Sequence, residues 1–582
     1  MSYFLATTAL DEFWDKSKKI IFAGEWCKLY ENKSEWCDLE YEDIPFIWKN
    51  GDSIIKGTEY CDKIYEKALL ELQKNLNQYH NIDKELHYYR IISGNWLVHF
   101  IHQAYDKYLT VKRAFDIYPD LSTWLLDNDQ YYIPFEYNDY LQNIVGDRYS
   151  LQQYSSVLSA LNYDFAEKSI SSPIEQKKSY HINRDIKSKI YSIIAYISTI
   201  ISTSIYKKNI TITAPYFGHN LKKYILKLLL KSRFRCIYDE MKYEITIGYD
   251  IDRLFRKKTL NLNGNEFEIV LSKILLENLP IIFLEGFVSF RKKVDNLAIH
   301  KSDIFFSTTA LHGNNIYKFY VGEHYKNIKI CNMQHGSGYG FDYYSNTEQY
   351  EKSIADRYYT AGWKSNGKTV PLSIPKFLHK KIRSSRQPDI ILFGMTERPR
   401  YIFRLCSIPM STNYLNEDLD NTLKFLGLVQ TDKLLIRLFP KTPLGWATSK
   451  RIKERFGSCN FDDLTRPFDR KLAESIIFIS NNIGTTFLEA LAQDKPSVVF
   501  ISREGYRFRA DAQPYFELLE KVKILHFSPE AAAKHLNNIY GNIKLWWESK
   551  NVQEARTKFI EKYARCRKNW CEEWVQEFER LL

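Results

Sequence analysis

The sequence predicts an α/β protein: two Rossmann-like halves facing across a cleft, with a helical C-terminal tail. Three observations predict it. Short β-branched or aromatic runs recur and stop at Gly, Ser, Asn or Glu, as strands of a buried parallel sheet do. A basic, polar stretch at residues 376–389 separates two such series. Beyond Pro529 the pattern turns helical to the C-terminus. The boundaries follow as 1–385, 386–530 and 531–582, the tail expected to pack back on the two halves.

In the first half, residues 3–6 and 20–23 read as the opening strands of a parallel sheet, the second ending in Gly24-Glu25-Trp26-Cys27. Residues 60–79 and 89–115 are helical, with Gly94-Asn95-Trp96 expected to interrupt the second. Residues 209–214, 280–284, 303–307 and 329–333 continue the strand series. The run at 280–284 ends in Glu285-Gly286-Phe287. The run at 329–333 feeds Gln334-His335-Gly336-Ser337-Gly338-Tyr339-Gly340, where glycines let backbone approach a ligand and His335 titrates near neutrality.

In the second half, residues 390–393 lead into Gly394-Met395-Thr396-Glu397-Arg398, and 433–438 carry Arg437, with Lys441 just beyond. Residues 475–501 are the most informative stretch. A strand stops at Ser480-Asn481-Asn482, and Gly484-Thr485-Thr486 opens a helix, leaving backbone N–H groups directed at an anion. Glu489, one turn on, suits a ribose hydroxyl. An ordinary βαβ crossover with threonine caps fits the same spacing. Residues 522–526 read as a last short strand, and Trp546, Trp547, Trp570 and Trp574 anchor the tail.

Composition narrows the partners. Hydrophobic residues at 45% and charged residues at 26% make a globular chain. A net charge of +12 suits a nucleotide, an anionic sugar or an inner-leaflet lipid. Without an arginine-rich arm or zinc-finger spacing, nucleic acid ranks last. The 15% aromatic share suits sugar stacking and, equally, an AT-rich coding bias. Nine cysteines without a paired pattern indicate a reducing cytoplasm, and the opening residues read as a strand rather than a basic-then-apolar signal, so secretion is not expected. Residues 190–206 are uncharged but short for a membrane span, and read as a buried helix. Asp127-Asn128-Asp129 matches a D-x-D pattern but reads as a turn, so no metal and no cofactor are expected.

Two α/β halves, a linker and a helical tail describe the GT-B glycosyltransferase architecture, the C-terminal half holding the nucleotide. FLATTAL (4–10), FAGEWCKLY (22–30), LEGF (284–287), QHGSGYG (334–340), TERPRYIFRL (396–405), RLFPKTPLGW (437–446) and NNIGTTFLEALAQDKPSV (481–498) occur in order. Together they resemble the bacterial O-antigen and capsule transferase family, and more distantly the capsule Kdo transferases. The resemblance implies a CMP-sugar donor, with pseudaminic acid, a nonulosonic acid, moved with retention onto a glycan or lipid-linked acceptor. It implies a cytoplasmic enzyme with an option of peripheral contact at the inner membrane. Such a donor carries a phosphate and a carboxylate. The phosphate suits Ser480, Asn481, Asn482, Gly484, Thr485 and Thr486; the carboxylate suits a fork from Arg437 or Arg398, with Gln334, Gly336, Glu397 and Lys441 nearby. His335 would serve the leaving phosphate, and Glu25 or Glu285 would be the catalytic carboxylate. A GT-B enzyme with a CMP-Kdo, UDP- or dTDP-sugar donor, and a non-catalytic polysaccharide-binding scaffold, are the alternatives.

Overall fold

The computed structural model describes residues 2–48, 50–184, 208–218, 221–232, 234–238, 243–297, 299, 301–365, 367–378, 388–401, 405, 417–438 and 445–582. Within them the apolar runs build three parallel sheets of four or more strands, beside two two-stranded pairs. The first has four strands in the order Tyr41–Asp43, Lys19–Phe22, Tyr3–Ala6, Leu121–Ser122. The second has six: Thr369–Pro371, Arg357–Thr360, Lys329–Met333, Ile304–Ser307, Asn209–Thr213, Arg235–Tyr238. The third has five: Leu434–Arg437, Ile390–Gly394, Ser475–Ser480, Ser497–Phe500, Leu525–His526.

In the second and third sheets the strands follow one plan: the second lies outside the first, and the third starts the run to the other edge. This doubly wound order reverses between the first and third strands, and there the carboxyl ends open a crevice. The crevice lies between Asn209–Thr213 and Ile304–Ser307 in one sheet, and between Ile390–Gly394 and Ser475–Ser480 in the other. These two sheets are the Rossmann-like pair expected of a GT-B fold.

The first sheet is the departure. Residues 3–6 and 20–23 were expected to share a sheet with 209–214, yet they form a separate layer backed by the helices Gly51–His80 and Leu86–Ile117. Asn50 opens the former with a capping box, and Asn81 closes it at φ 51°. Gly94 does not interrupt the latter. A Cβ there would sit 2.6 Å from the Tyr65 hydroxyl, so the glycine lets the two helices approach. Residues 280–284 are not a strand either. Ile281–Phe283 is a 3-10 turn whose Ile281 and Ile282 N–H groups donate to the carbonyls of Pro134 and Phe135. A short apolar run bounded by proline is equally a buried loop, and here its backbone bonds are taken by a loop.

The tail packs back across the molecule. Trp574 is fully buried against Tyr359, Phe306 and Phe217 of the second sheet's layer, and its Nε1 donates to the Ser373 carbonyl at 2.8 Å. Arg556, from helix Lys550–Tyr563, donates to the Leu491 carbonyl at 2.9 Å and so caps the end of helix Thr485–Ala492. Among the described residues no helix is long and apolar enough to cross a membrane. Residues 190–206 lie outside the described residues.

Candidate functional site

The doubly wound sheets place their carboxyl-edge loops against each other. Strand Asn209–Thr213 runs into Ala214-Pro215-Tyr216-Phe217-Gly218, where Ala214 (φ 43°) and Tyr216 (φ 51°) hold the left-handed conformation that costs a side-chain-bearing residue energy. Thr308 ties this loop down, its hydroxyl donating to the Pro215 carbonyl at 2.9 Å. From the third sheet, Gly484 starts helix Thr485–Ala492 without a side-chain cap, leaving the first N–H groups to the cleft. Ala214, Tyr216, Gly218, Thr309 and Lys376 on one side and Thr485, Thr486 and Glu489 on the other line a cavity of about 590 Å³. That volume suits a nucleotide-sized ligand.

Direct bonds join the two walls. The Ser337 N–H donates to Thr485 Oγ1 at 3.2 Å, and a Cβ on Gly336 would lie 3.3 Å from that oxygen. Gly336 thus permits the contact. Lys376 Nζ pairs with Glu489 Oε1 at 2.9 Å and sits 3.8 Å from the Tyr216 ring centre. It is the one cationic side chain among the described lining residues.

His335 stands beside this cavity, its ring edge-on to Tyr216. Its Nδ1 lies 3.0 Å from Glu351 Oε1 and 2.9 Å from the Tyr339 hydroxyl. Glu351 also bonds His312 Nε2 at 2.5 Å and accepts from Tyr358 at 2.6 Å. Burial opposes the Glu351 charge, but the hydrogen bonds from His312 and His335 outweigh it and hold its pKa down at about 2. Burial likewise lowers the pKa of His312, which donates as a neutral imidazole. An ionised Glu351 fixes the proton of His335 on Nδ1 and leaves Nε2 as the basic nitrogen. His312, His335 and Glu351 hold ligand-type atoms within 4.8 Å of one another, the composition of a transition-metal site; here both histidines bond the carboxylate.

The structure distributes the other expected residues differently. Gln334 is buried, and its Oε1 accepts from the Ala361 N–H at 2.8 Å and Trp363 Nε1 at 2.7 Å, so it clips the glycine turn to the sheet. Asn481 spans the crevice of the third sheet, accepting from the Thr396 N–H at 2.9 Å. Ser480 bonds the carbonyl of its own turn at Asn482, and Asn482 accepts from Tyr506 at 2.7 Å. Arg437 is held by Asp462 and donates to the Arg466 carbonyl at 3.1 Å, which commits its fork within the layer of the third sheet. Arg398 exerts its charge on the half-buried Asp418 and the buried Asp342, and its carbonyl accepts from Trp446. Burial raises the pKa of Glu397. Lys441 lies outside the described residues.

Both expected catalytic carboxylates are engaged elsewhere. Glu285 is 4% exposed and takes the full fork of Arg256, at 2.7 Å to each oxygen. Glu25 pairs with Lys28 at 2.9 Å on the edge of the first sheet. Neither lines the cavity. Lys376, His312 and Glu351 went unread in the sequence. Lys376 fell in the stretch taken for a linker. Glu351 left a faint signal: with Glu348 it occupies the apolar phase of helix Asn346–Ile354, where buried acids need partners.

A family model described as LIC12162 family transferase matches residues 3–578. No curated protein sequence matches the chain. Among solved structures the chain is similar to TarM, at 13% identity over 59% of this chain and 65% of that one, with a TM-score of 0.34. It is also similar to an alpha,alpha-trehalose 6-phosphate synthase from Burkholderia multivorans, at 10% identity over 65% of this chain and 97% of that one, TM-score 0.36. MurG from Acinetobacter baumannii gives 11% identity over 64% and 99%, TM-score 0.28.

Proposed function

The chain belongs to the LIC12162 family of transferases, and we propose that the group it transfers is a sugar, taken from a nucleotide-activated donor held between the second and third sheets. One observation carries this reading: the uncapped start of helix Thr485–Ala492 lines a 590 Å³ cavity at the crevice of the second sheet. A helix start in a partly closed cavity stabilises phosphate through free N–H groups and the helix dipole. His335 then serves the leaving phosphate through Nε2, with Glu351 holding the ring.

The finer reading, a CMP-linked nonulosonic acid such as pseudaminic acid moved with retention onto a capsule or O-antigen glycan, rests on the ordered motifs. In that reading the donor carboxylate goes to Lys376 rather than to Arg437, because Lys376 lines the cavity and Arg437 does not. Thermal-shift measurement with CMP, UDP and dTDP tests both levels. A nucleotide at 100-fold its Kd stabilises the fold by about 2.7 kcal/mol. Stabilisation by CMP alone supports the CMP-sugar donor; stabilisation by UDP or dTDP replaces it. A melt that none of them shifts contradicts the transferase reading at this site.

A further inference from the structure

A second cavity, of about 360 Å³, lies beside the first and shares Ala214 and Thr309 with it. Its walls come from three places: Glu136 and Asn138 at the start of helix Tyr137–Ile144, Thr213 at the end of its strand, and Asn315 at the start of helix Asn315–His324. Tyr243 adds an aromatic wall. Two polar atoms of these walls stand without partners. Thr213 is fully buried and its Oγ1 has no hydrogen-bond partner; Asn315 is 3% exposed and its Oδ1 has none. Native folds pair almost all such atoms, so two orphans in one cavity mark a place where a ligand supplies the bonds.

The chemistry of the walls selects the ligand. Asn315 Nδ2 donates to Glu136, which leaves the amide oxygen and the carboxylate as acceptors facing one hydroxyl that both donates and accepts. A ligand rich in hydroxyl groups satisfies that set, and an apolar one does not. The neighbouring cavity holds the uncapped helix start and Lys376, so the anionic donor belongs there. Resting on the sugar-transfer reading above, we propose that this second cavity binds the acceptor sugar, a neutral polyhydroxylated ring, through Glu136, Asn315 and Thr213. The shared wall at Ala214 and Thr309 sets acceptor beside donor.

The groups around Glu136 are Lys318 on helix Asn315–His324, Asp139 on its own helix, and Tyr180, whose hydroxyl lies 3.4 Å away. The test uses the full chain with nucleotide bound, and p-nitrophenyl monosaccharides as probes read by saturation-transfer NMR. Thr213→Val removes only an unpartnered hydroxyl, so its melting temperature should hold or rise and its nucleotide binding should stay. Its glycoside affinity should drop about tenfold, the worth of one good hydrogen bond. Glu136→Gln should weaken the same probes. Wild-type protein that binds nucleotide but no glycoside, or variants that bind glycosides like wild type, overturn the acceptor site and leave the donor reading standing. Failure to bind any nucleotide strikes the donor reading instead.

Discussion

Glu351 collects donors from three different elements: His312 from the short helix Ala310–Gly313, His335 from the glycine turn, and Tyr358 from the strand Arg357–Thr360. Removing its charge should cost catalysis more than binding. Glu351→Gln is expected to lower kcat about 100-fold, the range of a general acid or base, with nucleotide affinity unchanged. Equal kcat in both proteins would reduce His335 to a turn residue. The same carboxylate shapes acid stability. Its pKa falls from the ordinary 4.5 to about 2, so its contribution is complete above pH 4.5 and lost as pH falls through 2. Glu136 has the opposite sign. Burial pushes it up to about 7 against the pull of Lys318, so its contribution is present below pH 4.5 and lost as pH rises through 7. Lys318, itself pushed down to about 7 by burial, is charged in both states below that pH and leaves the sign intact. Melting curves of Glu136→Gln between pH 4.5 and 7 should therefore be flatter than those of the wild type, and parallel curves would contradict the shift.

At the scale of elements, helix Thr485–Ala492 carries the site. Its N-terminus faces the cavity, and its C-terminal carbonyl at Leu491 is capped by Arg556 from the tail. Thr485→Val deletes the acceptor that joins this helix to the Ser337 N–H. Nucleotide affinity should fall about tenfold, and an unchanged Kd in titration calorimetry would take Thr485 out of the site. This helix was legible because a β-branched run, a polar turn and two threonines occur within one βα unit. The run at residues 280–284 was misread because four apolar residues fit a buried turn as well as a strand. Glu285 was drawn into the site by the same error. Placed after a supposed strand, it looked aimed at a cleft, whereas Arg256, distant in sequence, neutralises it in the interior. The partners of Glu351 lie 39 and 16 residues upstream, and local spacing carries no trace of them.

For the whole molecule, the layer of the first sheet and that of the third are locked together by Arg400. Its two terminal nitrogens take both oxygens of Asp147 at 3.0 and 2.6 Å, and one also donates to the Trp26 carbonyl. The TERPR motif thus supplies an anchor between layers, and the cleft lies between the other two sheets. Sequence periodicity revealed the longer strand runs but missed Tyr41–Asp43, Leu121–Ser122, Arg235–Tyr238, Arg357–Thr360 and Thr369–Pro371, and it did not show how the runs divide among sheets, since pairing is a long-range choice. The central claim is that the nucleotide binds at the start of helix Thr485–Ala492, across from His335. Hydrogen exchange of the full chain with and without the nucleotide that shifts its melt tests this most directly. Protection is expected at residues 484–489, 214–218 and 335–338. Protection at residues 24–28 on the first sheet, with none at 484–489, would contradict it.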